Sequence, residues 1–289
     1  MFFYIQHTTE YRFTRPVFLE PHQLRFQPRS DAAQRLLRFD LSVEPAPAGK
    51  STALDADGNL VTMAWFESLH DRMTLRATSE VEMLRENPFD YLLTPANRLL
   101  PVGYQPWELL QLAPVLKRIA VPAHSDPVRE LAEQLREATH GELVSFLTRL
   151  STTTHDRFKL IRREKGPPRP PAMTMEQRQG ACRDLAVLFI DACRVVGLAT
   201  RFVSGYQQGD GSEDKPDLHA WAEVYLPGAG WRGYDPTHGL ANTDRHVTIA
   251  AAADPQRTAP VTATYRGNNV EAEFHAEVVI ETRTAAAAC

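Results

Sequence analysis

Over roughly the first 85 residues, apolar and aromatic side chains recur at every second position: Phe3, Ile5, Tyr11, Phe13 and Val17, then Leu37, Phe39, Leu41 and Val43, then Val61, Met63 and Trp65. A period of two marks strands whose faces differ. Met73, Leu75 and Ala77, followed by Val81 and Met83, continue it. Asp57-Gly58 between Leu54 and Leu60 is a hairpin turn signal, and Pro45-Ala46-Pro47-Ala48-Gly49 cannot lie inside a strand. Residues 1–90 are therefore expected to form a β-rich, sandwich-like N-terminal domain.

The period changes after residues 86–105, a connection carrying Pro88, Pro95, Pro101 and Gly103. Asp126 is a suitable N-cap, Pro127 fits the first helical turn, and Val128, Leu131 and Leu135 share one face of a helix that Gly141 ends. Leu143, Phe146, Leu147 and Leu150 predict a second helix, so residues 91–165 read as linker and helical part of a core. The prolines of Gly166-Pro167-Pro168-Arg169-Pro170-Pro171 predict an exposed loop over 165–180. From Cys182, the residues Leu185, Leu188, Phe189, Ala192, Val195 and Val196 repeat at helical spacing up to Gly197, a fitting C-cap. Strands follow at 199–206, 219–226 and 231–234, the last two joined by Pro227-Gly228-Ala229-Gly230. Residues 166–260 thus read as the core itself. Phe274, Ala276, Val278 and Ile280 predict a closing strand within 261–283, of unassigned sheet, and 284–289 a disordered Ala-rich tail. The fold class is α+β, with helices packed on an antiparallel sheet behind a β-sandwich-like domain.

Composition narrows the partners. Hydrophobic residues at 43% and charged residues at 24% of 289 are those of a soluble globular protein. A net charge of -4 leaves no basic footprint for nucleic acid, and no apolar run reaches the roughly 20 residues of a membrane helix. The N-terminus lacks the marks of a signal peptide, so the cytoplasm is the expected compartment. The three cysteines suit neither a disulfide framework nor a zinc site. Cys182 and Cys193 on one helix would stand about 16 Å apart, too far to bridge. Cys193 reads as a buried core thiol and Cys289 as part of the tail. No metal or cofactor is expected; the acidic stretch Gly209-Asp210-Gly211-Ser212-Glu213-Asp214-Lys215 reads as a solvated turn.

Cys182 follows Gln179-Gly180-Ala181 and opens the predicted helix. There the free backbone N–H groups and the helix dipole favour an anionic nucleophile and can hold an oxyanion. His219 begins one strand and Asp235 ends its hairpin neighbour, which brings both to one end of a sheet. A thiol, an imidazole to exchange its proton and a carboxylate to orient the imidazole are the parts of a thiol acyl-transfer site. Gln179 and Trp221 are candidates for an oxyanion donor, and His238 for lining the cleft; packing behind His219 is the simpler reading of Trp221. Asp184 reads as a helix cap or a partner for a basic group. Glu223 shares a face with His219 and Trp221 and can pair with Arg201. The histidines at 7, 22, 70, 124, 140, 155, 246 and 275 stand in no motif and read as surface or satisfied positions.

The blocks Gly180-Ala181-Cys182-Arg183-Asp184, Ala199-Thr200-Arg201-Phe202-Val203-Ser204-Gly205-Tyr206, His219-Ala220-Trp221-Ala222-Glu223-Val224 and Asp235-Pro236-Thr237 with Gly239 resemble the bacterial transglutaminase-like superfamily. Tyr11-Arg12-Phe13 and Pro21-His22-Gln23-Leu24-Arg25 look like the β-rich N-terminal domain that accompanies it. The resemblance implies a papain-like core with Cys182 as nucleophile, His219 as base and acid, and Asp235 as orienting carboxylate. It further implies a thiol-dependent amide hydrolase, cysteine-peptidase-like, acting on a peptide or protein through a thioester. Acyl transfer to an amine, as in a transglutaminase or a peptide-modifying enzyme, is the alternative, and a non-catalytic binding module ranks third. The Pro-rich loop before Cys182 and the loop over 207–217 are expected to gate the cleft. The sequence specifies neither oligomeric state nor the particular substrate.

Overall fold

The structure is a computed structural model, and it describes residues 1–118, 125–163, 166–209 and 218–284. In chain order the elements are β1 (Phe2–Leu19), β2 (His22–Leu24), β3 (Gln34–Glu44), β4 (Gly49–Leu54), β5 (Leu60–Trp65), β6 (Leu69–Met83), α1 (Pro106–Leu116), α2 (Pro127–Ala138) and α3 (Leu143–Arg157). Then come β7 (Lys159–Leu160), α4 (Pro171–Gln177), β8 (Gln179–Gly180), α5 (Cys182–Val195), β9 (Thr200–Gln207), β10 (Leu218–Leu226) and β11 (Gly230–Asp235). The chain closes through β12 (Leu240–Ala241), β13 (His246–Ala252), β14 (Val261–Thr262), β15 (Tyr265–Arg266) and β16 (Ala272–Arg283).

Two antiparallel sheets form the N-terminal region, ordered β15-β1-β6-β3 with β16 also on β1, and β14-β2-β5-β4. Phe13, Val17, Leu19, Leu24, Phe26, Val43, Ala64, Phe66, Met73, Leu75 and Ala77 make the core between them. The closing strand has its place here, since β16 pairs with β1 from Phe2↔Arg283 to Phe13↔Ala272. Two details of the alternation differ from expectation. A register shift between Leu36 and Arg38 turns Leu37 outward to 49% exposure. In β5 the core face is Thr62 and Ala64, continued by Phe66, while Trp65 lies outside. Its ring rests on Gly49 of the neighbouring strand, where a Cβ would stand 2.1 Å from it.

The second body has α2, α3 and α5 on a five-stranded antiparallel sheet, β12-β11-β10-β9-β13. Asp126 caps α2 by accepting from the Arg129 N–H at 3.1 Å, as its position in the sequence requires. α5 was expected to be buried along one stripe; it is buried from Asp184 to Arg194 on all sides, between α2, α3 and β10. α1 escapes the periodicity because apolar residues occupy its whole circumference: Leu112 and Val115 are buried, Trp107 and Leu110 exposed. The expected loop over 165–180 is corrected in its second half. Proline is favoured at a helix start, and Pro171 begins α4, after which β8 pairs in parallel with β7.

The two bodies are joined through β13, an edge strand. Phe3, Ile5, Val81, Met83 and Val278 pack on Tyr206, Val247, Ile249 and Ala250. Two buried side-chain amides act as surrogate peptide groups along the outer edge of β13. Asn59 Oδ1 accepts from Ala251 N–H at 2.8 Å and its Nδ2 donates to the Ala251 carbonyl at 3.0 Å. Gln34 does the same at Thr248, at 2.7 and 2.9 Å. The edge that a sheet must cover is thereby closed by the N-terminal region.

Candidate active site

Cys182 is the first residue of α5 and is half-buried. β8 delivers it: Lys159↔Gln179 and Leu160↔Gly180 fix the two residues that run into the helix. Gly180 lies so close to the first turn that a Cβ there would stand 2.8 Å from the Asp184 Cβ. Asp184, fully buried, ties the turn together: Oδ2 accepts from Ala181 N–H at 2.9 Å, and Oδ1 accepts from Arg163 Nη2 at 2.6 Å and Arg169 N–H at 2.8 Å. It is a cap and an ion-pair partner.

His219 stands near the start of β10, opposite Gly205 of β9. Its Nε2 lies 2.8 Å from Asp235 Oδ2, and Cys182 stands near enough to the ring to raise its proton affinity. With Nε2 committed to the carboxylate, Nδ1 is the nitrogen left for the thiol. Asp235 ends β11 fully buried, its backbone carbonyl accepting from Ser151 Oγ of α3 at 3.2 Å and its Oδ1 from Thr237 N–H at 2.9 Å. Oδ2 meets three imidazoles: besides His219, His238 Nδ1 and His246 Nε2 each lie at 2.9 Å.

Burial alone would lower the proton affinity of His219 and raise that of Asp235, yet both move the other way. The charge of Asp235 and the hydrogen bond to it outweigh burial and lift His219 well above the ordinary imidazole range, with Cys182 adding to the effect. Asp235, despite its burial, is held well below the ordinary carboxylate range by His219 and by hydrogen bonds from His238 and His246. His246 is lowered, chiefly by burial, so it stays neutral and donates through Nε2. Trp221 is 1% exposed; its ring stacks 6.2 Å from His219 and meets His246 edge-on at 5.2 Å. The close fit of this ring demands glycine at 205, where a Cβ would stand 2.5 Å from it.

His219, Asp235, His238 and His246 each offer a ligand atom, all within 4.8 Å of one another, a donor set that zinc could use. Their surroundings suit the hydrogen-bonded arrangement better. Ligation through His246 Nε2 would force its proton onto Nδ1, a buried atom without a partner among the described residues, and His219 would have to release a proton it holds strongly.

Cys182, His219, Asp235 and His238 thus come together, with Trp221 packed behind His219 and Gln179 in β8 three residues before the thiol. Glu223 pairs with Arg201 at 2.7 Å. Cys193 is buried, which pushes its thiol far up. His246 is the residue that sequence reasoning missed. It opens β13, which follows β12 in the chain yet lies beyond β9 in the sheet, and no local signal reports that crossover. Of the two loops expected to gate the cleft, the second falls mostly at 210–217, outside the described residues, as do Cys289 and nearly all of the tail.

A thiol at the head of a buried central helix, facing a His-Asp pair on an antiparallel sheet, gives the chain a transglutaminase-like α+β fold of the papain-like type. The family description "Bacterial transglutaminase-like N-terminal region" matches residues 3–82, and "Transglutaminase-like superfamily" matches 129–236. The chain belongs to the transglutaminase-like superfamily. It is similar to an uncharacterized protein of Mycobacterium tuberculosis, 28% identical over 279 residues that span 86% of this chain and 83% of that protein. It is also 26% identical over 230 residues to a protein-glutamine gamma-glutamyltransferase of Pseudomonas aeruginosa, covering 71% of this chain and 30% of that enzyme. A crystal structure of a candidate cysteine protease from Cytophaga hutchinsonii shares the fold with a TM-score of 0.71 at 20% identity, covering 99% of this chain and 92% of that one. Among the described residues no helix is long and apolar enough to cross a membrane.

Proposed function

We propose that the protein is a thiol-dependent amide hydrolase acting on a peptide or protein through a thioester on Cys182. The observation that carries this reading is Cys182 at the N-terminus of α5 beside the hydrogen-bonded His219–Asp235 pair. Cys182 Sγ attacks the amide carbonyl while its proton rests on His219 Nδ1, and Asp235 steadies the imidazolium. The carbonyl oxygen, now negative, is held by the backbone N–H groups of the first helical turn, with Gln179 as the side-chain candidate. His219 gives its proton to the leaving amine as the C–N bond breaks, leaving the thioester. Water then attacks with His219 as base, and the acid leaves as Sγ regains its charge.

Transfer of the acyl group to an amine uses the same first half and differs only in what attacks the thioester. The Pseudomonas relative favours it as a second reading. Incubation with a glutamine-containing peptide and a labelled primary amine separates the two: ammonia or amine release without incorporation supports hydrolysis, and incorporation supports transfer. Either product should vanish in Cys182→Ala, and a product that persists overturns the reading. We infer from the sequence alone that the compartment is the cytoplasm, which cell fractionation tests.

A further inference from the structure

Asp235 Oδ2 carries more donors than orienting His219 requires. His219, His238 and His246 converge on this one oxygen at 2.8, 2.9 and 2.9 Å, while Oδ1 accepts from Thr237 N–H. Of the two additional histidines, His246 is the buried one, at 5% exposure, and its ring is fixed on several sides. Trp221 meets it edge-on, β9 pairs its backbone with Gln207, and the strand it opens is held on its far edge by Gln34 and Asn59. The charged and titratable groups facing it among the described residues are Asp235 of β11, His219 of β10 and His238 of the turn after β11. Nδ1 is buried with no partner among the described residues, and the bond the ring does make there goes from Nε2 to Asp235.

We propose that His246 is a positioning residue for the Asp235–His219 pair, a neutral donor that takes up part of the carboxylate's charge and sets how strongly His219 holds its proton. The inference rests on the Cys182–His219–Asp235 reading above. Charge on Oδ2 is divided among three N–H donors. Withdrawing one leaves more for His219, which then binds its proton more tightly and surrenders it less readily to the leaving amine. The N-terminal region enters the chemistry by the same route, because Gln34 and Asn59 hold the strand that presents His246.

The test compares wild type, His246→Leu and His246→Gln, with Cys182→Ala and His219→Ala as controls, in kcat/KM against pH for the amide or ester substrate that wild type turns over. His246→Leu should move the basic limb upward by about one pH unit, the scale of one lost charge-assisted hydrogen bond. It should lower kcat at neutral pH by about tenfold, with KM within about twofold. His246→Gln, whose Nε2 can occupy the place of the lost donor, should restore most of both. If the controls abolish turnover but both His246 variants keep the wild-type limb, or lose activity only in proportion to folded protein, the inference fails while the enzyme reading stands. If the controls keep turnover, the enzyme reading itself has failed. Should His246→Leu not fold, ¹⁵N NMR of the wild type decides: His246 held as the neutral Nε2–H form between about pH 5.5 and 8 supports the role, and protonation at the ordinary imidazole value of about 6.5 overturns it.

Discussion

Replacing Asn59 with alanine should cost far more than a single side chain suggests, because Asn59 closes the outer edge of β13. It is fully buried, and its amide is the hydrogen-bond partner of both the N–H and the carbonyl of Ala251. Truncation leaves those two backbone groups buried and unpaired, at about 1–3 kcal/mol each, so about 2–6 kcal/mol from them, and it also removes the bonds to Arg29 Nη1 and Asp55 Oδ2. Gln34→Ala gives a parallel case. It removes the same pair of bonds from Thr248, but the Thr248 carbonyl also accepts from Arg29 N–H at 3.0 Å and keeps that partner. Gln34 Nε2 also donates to the Arg29 carbonyl at 2.8 Å, so the Thr248 N–H and the Arg29 carbonyl both lose their partner and about 2–6 kcal/mol is predicted here as well. Thr248 and Ala251 are about 10 Å apart along the strand, but Arg29 bonds to both amides, so the double variant should depart from the sum of the two losses by about 0.5 kcal/mol or more. Equilibrium urea unfolding of the two single variants and the double variant, with unchanged m-values, measures all three quantities. A loss below about 1 kcal/mol for either Asn59→Ala or Gln34→Ala would refute the claim that these amides complete the sheet.

Further consequences follow from burial and charge. His7, lowered by burial from 6.5 to about 4, is neutral in the fold; the unfolded chain binds its proton first, so stability should fall as pH drops from about 6.5 toward 4, by about 3 kcal/mol from this group. His7→Asn should flatten that part of a stability-pH curve, and an unchanged slope contradicts the assignment. Asp235, held well below its ordinary range, stabilises the fold above about pH 3.9, and that contribution is lost as pH falls through its folded value. Asp235→Asn should therefore weaken the acid-side loss and, by releasing the grip on His219, cut turnover by roughly 10³–10⁴, read in a steady-state assay. Gly205→Ala sets a methyl group 2.1 Å from the Val247 carbonyl oxygen and 2.5 Å from the Trp221 ring, and should destabilise by about 1–3 kcal/mol with a change in tryptophan fluorescence. A wild-type melting curve for this variant would show the contact to be slack.

Local chemistry made much of this fold legible. Asp126 and Pro127 announce α2, the stripe from Leu185 to Val196 announces α5, and Gly197, with φ of +81°, ends it as a C-cap glycine can. The hairpin from Leu218 to Asp235 is short enough that its geometry follows from its turn, and this is why His219 and Asp235 could be expected at one end of a sheet. What the sequence withheld depends on packing between distant segments. Leu37 breaks its stripe because a bulge shifts the register of β3 against β6. Nothing near Ala272 says that β16 returns to β1 across the whole chain. His246 belongs with these: its neighbours describe an apolar strand, and only the crossover that sets β13 beside β9 brings its ring to Asp235.

The central claim is that Cys182 forms the acyl-enzyme, with His219 and Asp235 exchanging and steadying its proton. The most direct measurement is intact-mass and peptide mapping after brief reaction with p-nitrophenyl acetate and an acid quench. A single hydroxylamine-labile acetyl group on Cys182, absent in Cys182→Ala and slow to form in His219→Ala, is the predicted result. Acetylation elsewhere only, or turnover that continues in Cys182→Ala, would contradict the account.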